Sequence, residues 1–221
     1  MNLLLIGRLK QDKTNGGKVE ATINGIFPTP IYMSKLDRAL TPLELKFVDK
    51  YKKDFYKNDG NITSNNNYIL NEKPFTNIKK ELDKRVQDYF NKVLSTTDAV
   101  TPYITQSWLN YTETNQYHHK HAHPNSLVSG VFYINCHEEL DKIKFFKEGY
   151  QTIKPQIKNW NLWNSESWWF TVKTGDIIMF PSSLTHMVEN KEGTNTRISL
   201  AFNIFIKGTI GNNKNLTELI L

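Results

Sequence analysis

One cysteine, Cys136, stands in a chain of 221 residues, so no disulfide can form within it. That fits a reducing compartment. Arginine is nearly as scarce. Arg8, Arg38, Arg85 and Arg197 are the four present, and the net charge of +6 is mostly carried by lysine. The lysines spread over helical and loop segments without the clustered basic face of a nucleic-acid site, which argues against a nucleic-acid partner. Long apolar runs are also missing. The opening "MNLLLIGRLK" is too short for a signal-peptide core or a membrane span, and no later stretch is long and apolar enough. The chain is therefore expected to be soluble and cytoplasmic, with no membrane partner; its sequence leaves the oligomeric state open.

What the chain does have is 38% hydrophobic and 12% aromatic residues, enough for a sizeable core. Its character changes near residue 100. In "TPLE" at 41–44, Thr41 can cap a helix, Pro42 fits its first turn and Glu44 can reach back to the cap. Phe47, Val48, Tyr51 and Phe55 continue as one apolar stripe, and "NDGN" at 58–61 is expected to end that helix. A second helix is expected from about Asn77 to Leu94, with Ile78, Leu82, Val86, Tyr89, Phe90 and Val93 on one face. From residue 101 the chain becomes short β-rich runs split by turn residues: "YITQSWLNY", "SLVSGVFYIN", "KIKFF", "SWWFTV", "DIIMF" and "RISLAFNIFI". Such spacing predicts a sandwich or barrel. The expected fold is α+β, mainly β: a jelly roll with two helices packed outside. "INGIFPTPIY" at 23–32 is expected to add an edge strand, because its prolines exclude a central one. We expect a single domain over 1–221, with supporting elements in 1–100, the jelly-roll core in 101–207 and a tail in 208–221.

Four of the six histidines fall in "HHKHAH", residues 118–123. On extended backbone, His121 and His123 face the same side. His186 follows "GDIIMFPSSLT", a strand and a Pro-marked bend that can return it to the barrel mouth. Three imidazoles facing one cavity make a site for a divalent transition metal. Arg197 lies eleven residues on, inside the otherwise apolar "RISLAF". Burying it is costly without an anionic partner, and a bound carboxylate would supply one.

These features, in this order, resemble the iron(II)- and 2-oxoglutarate-dependent oxygenases of the double-stranded β-helix (jelly-roll, cupin-like) fold. The resemblance rests on "HAH" at 121–123, "LTHMVEN" around His186 and "TRISLAFN" with Arg197. "FYIN" after the histidines is similar to the prolyl-hydroxylase-like branch. "IFPTPIY", "HPNSLVSGVFYI" and "FPSSLTHMVEN" look like a little-characterised group of such oxygenases in bacteria and phages. The resemblance spans roughly residues 25–206. It implies iron(II) and 2-oxoglutarate as cofactors, with hydroxylation of a C–H bond and release of succinate and CO2. His121 and His186 would be iron ligands. Arg197 would bind the distal carboxylate of 2-oxoglutarate, Tyr133 would give it a phenol hydrogen bond, and Ser199 matches an Arg-x-Ser arrangement. Asn110 or Tyr111 would line the co-substrate pocket. A small molecule or a peptide would be the substrate, with prolyl or peptidyl hydroxylation the nearest analogy.

The chain departs from the family pattern at His123, where the family has a carboxylate. Three readings follow: His123 is the third ligand, the site has two histidines and water, or a distant acid such as Glu113 or Glu138 fills in. The first is favoured. Two competing functions remain: a three-histidine cupin-type dioxygenase without a keto acid, and a non-catalytic metal-binding jelly-roll module. His119, Trp160 and Trp163 are candidate substrate contacts, although loop aromatics more often hold their own loop down.

Overall fold

The order of elements alternates between two sheets, and that alternation builds the site. The structure is a computed structural model that describes residues 21–149 and 153–221. Ile31–Leu221 form one compact unit, and residues 21–30, outside it, carry no helix or strand. In chain order the unit contains β1 (Tyr32–Lys35), α1 (Pro42–Tyr51), β2 (Phe55–Lys57), β3 (Ile62–Ser64), α2 (Thr76–Tyr89), β4 (Val100–Thr112), β5 (His118–His121), β6 (Val128–Asn135), β7 (Lys142–Phe146), β8 (Ser167–Thr171), β9 (Asp176–Pro181), β10 (His186–Val188), β11 (Arg197–Ile210) and β12 (Leu219–Ile220).

The larger sheet runs β1-β9-β6-β11-β4-β3-β2, with β12 also paired to β11, and the smaller runs β5-β10-β7-β8. All of these pairings are antiparallel. Between β4 and β11 the chain crosses from one sheet to the other repeatedly, so consecutive strands face each other across the interior except for the paired β7 and β8. This is the jelly-roll, or double-stranded β-helix, arrangement.

Both helices lie on the outer face of the larger sheet. Phe47, Val48 and Tyr51 of α1 and Ile78, Leu82, Val86 and Tyr89 of α2 join Leu109, Tyr111, Phe132, Ile177, Met179, Leu200 and Phe202 in one buried cluster. Alternation sends the intervening residues inward: Tyr133, Ile178 and Phe180 meet Ile143, Phe145 and Val172 in a second cluster between the sheets. Each large side chain so buried contributes about 1.5–3 kcal/mol.

The capping box of α1 forms as expected: Glu44 N donates to Thr41 Oγ1 at 3.3 Å, and Thr41 N to Glu44 Oε2 at 2.7 Å. Three sequence expectations need correction. The first helix stops at Tyr51, and Phe55 instead opens β2, where it is exposed. "NDGN" at 58–61 then turns the β2–β3 hairpin, with Gly60 at φ +91°, a value that suits glycine. The edge strand is present, but it begins at Tyr32, after both prolines, and pairs with β9. α2 continues through a π-helical turn, Phe90–Leu94, so its axis runs to the expected end with Val93 turned partly outward.

Candidate metal centre

The smaller sheet brings two histidines face to face. His121 on β5 and His186 on β10 are Cα partners, with ring centroids 4.4 Å apart. His123 lies just past the end of β5, where its backbone N–H donates to Ser182 O at 3.0 Å. Its ring centroid is 4.9 Å from that of His121 and 5.2 Å from that of His186. One potential ligand atom from each of the three lies within 4.8 Å of the others.

Backbone carbonyls set the tautomers. His121 Nδ1 donates to His119 O at 2.8 Å and His186 Nδ1 to Leu184 O at 3.1 Å. This arrangement leaves Nε2 of each ring as the free lone pair and fixes the ring orientation, which is how metal-binding histidines are usually held. Phe180 and Phe145 pack around His186. Burial pushes His186 down to about 3 and His123 to about 4, helped by the neighbouring imidazoles, and lowers His121 as well. All three are neutral at pH 7, the form in which imidazole binds a metal.

The second half of the pocket comes from the larger sheet. Ser199 pairs with Asn110 on one side and Tyr133 on the other, so the three residues form a row across β4, β11 and β6. Arg197 sits two residues along β11 and faces the same way. All four line the pocket that holds His121, His123 and His186. Arg197 is 5% exposed and has no carboxylate partner among the described residues. Nη1 donates to Lys142 O at 3.2 Å, while Nε has no partner among the described residues. The guanidinium carbon lies 5.6 Å from the centroid of the Tyr133 ring. Tyr133 is fully buried, and its hydroxyl also has no partner among the described residues. Buried polar groups are seldom left so, and two together mark a place for an anionic acceptor.

Some candidates fall elsewhere. Tyr111 faces the helices, where its hydroxyl donates to Val48 O at 2.6 Å; the pocket residue is Asn110. Glu113 is tied to Lys52 and Thr196, and Glu138 to Lys173, so neither acid joins the histidines. His119 packs beside His121, with its Nδ1 4.0 Å from Asp59, and does not line the pocket. Trp160 and Trp163 lie exposed in the β7–β8 connection, away from the pocket lining.

Trp108 and His118 also line the pocket. Trp108 precedes Asn110 by two and shares its face, which strand alternation could have indicated. His118 could not have been found that way. β5 carries a bulge, with His121 opposite His186 but His118 opposite Val188, and the extra residue swings His118 to the pocket side. There it stacks on His121 at 4.6 Å and accepts from Asn58 Nδ2 at 3.2 Å.

Residues 106–203 match the model of a family described as "Putative 2OG-Fe(II) oxygenase". Over that segment the chain is similar to the 2OG-Fe(II) oxygenases. No curated protein matches it, but solved structures share its fold. An oxidoreductase of the 2OG-Fe(II) oxygenase family from Burkholderia pseudomallei is 14% identical, with TM-score 0.53 over 79% of this chain and 83% of that one. HygX from Streptomyces hygroscopicus, solved with nickel, 2-oxoglutarate and hygromycin B, is 11% identical, with TM-score 0.53 over 80% and 82%. A prolyl hydroxylase from Trichoplax adhaerens, solved with a peptide fragment of the hypoxia inducible factor oxygen degradation domain, is 12% identical, with TM-score 0.54 over 79% and 83%.

Proposed function

We propose that the protein is an iron(II)- and 2-oxoglutarate-dependent dioxygenase that hydroxylates a C–H bond, with His121, His123 and His186 as the iron ligands and Arg197 as the anchor of the keto acid. The observation that carries this reading is a pair of buried groups with no partner among the described residues, Arg197 Nε and Tyr133 Oη, in the same pocket as the histidine triad. A metal alone would explain the histidines. It would leave a buried guanidinium facing a phenol with no anion between them. A dicarboxylate bound to the metal by one end and to Arg197 and Tyr133 by the other satisfies both halves.

Charge supports the same assignment. Three neutral imidazoles leave the ion's two positive charges uncompensated, and Arg197 adds a third. A dianionic ligand is therefore favoured more strongly here than at a site with a carboxylate ligand.

When bound, the iron and keto acid supply oxidation of a C–H bond coupled to breakdown of 2-oxoglutarate to succinate and CO2. The chain's own part is positional. The Nδ1–H contacts of His121 and His186 keep each Nε2 aimed at one point. Arg197 and Tyr133 would hold the distal carboxylate, while Asn110 and Ser199 offer further polar contacts along the row. Phe145 and Phe180 keep water away from His186. Peptides and small molecules are bound by the structural relatives named above, and either class of substrate fits this reading.

The test is an anaerobic titration of the metal-free protein, first with iron(II) and then with 2-oxoglutarate, following the visible charge-transfer band of a chelated keto acid. A band that weakens in Arg197→Ala supports the proposal. Tight iron binding without a band favours a three-histidine dioxygenase that uses no keto acid. Failure to bind iron overturns the enzyme reading.

A further inference from the structure

A wide groove adjoins the metal pocket, and Trp108 and His123 line both. Its floor is the first half of β4, and a bulge makes that floor. Ser107 pairs with Phe202 and Ile104 with Ile204, so Thr105 and Gln106 together oppose Asn203. The extra residue reverses the alternation. Tyr103 thereby comes to the same face as Trp108, and Thr105 and Gln106 are both presented there. Tyr56 of β2 and Tyr68 complete the aromatic lining. Tyr56, Tyr68 and Tyr103 are 44%, 53% and 41% exposed, far more than rings that serve a core.

Apart from Pro124, the rest of the lining is amide and hydroxyl. Asn67, Gln106 and Asn125 make no side-chain hydrogen bond to another described residue, and each carboxamide offers donors and an acceptor. Among the described residues, no lysine, arginine, aspartate or glutamate lines the groove, although such residues are 23% of the chain. Lys207 lies over one face of Tyr103, 6.0 Å from its centroid, but outside the lining.

We propose that this groove is the substrate site and that its occupant is an uncharged polyhydroxylated ring compound, an oligosaccharide or the sugar part of a glycoside. This rests on the dioxygenase reading above and names its substrate class. Aromatic faces pack against the apolar C–H faces of sugar rings. Hydroxyls both donate and accept, as the free carboxamides do. A nucleic acid strand would need cations along the groove. A proline-rich chain offers acceptors but few N–H donors, which would leave the carboxamide oxygens unmatched. The shared wall of Trp108 and His123 would hold one sugar ring beside the metal.

The test is calorimetric binding to the full-length protein, with iron(II) and 2-oxoglutarate added without oxygen. The probes are maltohexaose, cellohexaose and hexa-N-acetylchitohexaose, with decaproline and oligo-dT as the contrasting classes. At least one saccharide is expected to bind, and Tyr68→Ala and Tyr103→Ala to weaken it by about tenfold each, the scale of one aromatic stacking contact. Both variants should leave the charge-transfer titration unchanged. Binding of decaproline or oligo-dT in preference to every saccharide, or no saccharide binding by folded protein at millimolar concentration, overturns the proposal. Failure of the dioxygenase reading would show differently: the iron and keto-acid titration would fail while saccharide binding persisted.

Discussion

His121 and His186 are Cα partners on neighbouring strands, and each donates its Nδ1 proton to the carbonyl two residues before it. The same local turn of backbone therefore orients both rings, from opposite sides of one ladder. Neither ring depends on a distant side chain for its direction.

Loss of either ring should remove the metal site while leaving the larger sheet intact. His121→Ala and His186→Ala are expected to weaken iron(II) binding by at least about 100-fold, since even indirect partners of metal ligands can matter by that much. His123→Ala should do the same if the third imidazole is a ligand. Anaerobic iron titration, with circular dichroism as the control for folding, measures this; near-wild-type affinity in His123→Ala would reduce the ligand set to two.

The proposed anchoring role of Arg197 would come at the expense of stability. Among the described residues it is buried with one side-chain hydrogen bond and no counter-charge, a costly arrangement in the absence of an anion. Arg197→Met should therefore raise the Tm of the ligand-free protein while abolishing the effect of 2-oxoglutarate on the iron spectrum. Thermal melts with and without 2-oxoglutarate distinguish the two effects, and a lowered Tm would mean that the guanidinium is structural.

Adjacent residues on β4 should behave in opposite ways. Tyr111→Phe loses the hydrogen bond to Val48 on the helix side and should cost about 1–2 kcal/mol of stability without changing 2-oxoglutarate affinity. Asn110→Ala removes a pocket group and should weaken 2-oxoglutarate binding. Urea unfolding and keto-acid titration of both variants give the comparison.

Much of this arrangement was legible in the sequence, for a physical reason. Strand runs announce themselves by composition, and the His186–Arg197 spacing is local enough to survive folding as a shared orientation. The legibility ends where a second strand decides the outcome. Asn110 and Tyr111 both carry polar groups, and only the position of the helices shows which one faces the pocket. Phe55 continues the stripe of α1 by spacing alone, yet its pairing opposite Ser64 outweighs that pattern. His118 and Tyr103 reach their faces through bulges, which alternation cannot anticipate. The tryptophans of the β7–β8 connection are conspicuous by type, but their placement follows a path that no periodicity encodes.

Acid should destabilise the metal-free protein. In the unfolded chain the histidines take up protons near their ordinary 6.5, whereas in the fold His123 resists until about 4 and His186 until about 3. Between those limits the unfolded state binds more protons, so stability rises with pH through the window and is lost as pH falls from 6.5. Urea midpoints measured from pH 7.5 down to 4 should decline, and His186→Phe should flatten the decline. A midpoint independent of pH between 6.5 and 5 would contradict the buried, neutral state.

The strand that carries His121 is only four residues long and, among the described residues, forms the edge of its sheet with a single neighbour. Edge strands open locally at far lower free energy than a central strand. If β5 lifts from β10, His121 and His123 move off while His186, Arg197 and the eight-stranded sheet stay in place. Metal exchange would then be a local event: the rate at which the ion enters and leaves follows the fraying of one short strand rather than the unfolding of the protein, and a folded molecule can be emptied and reloaded as the iron supply changes.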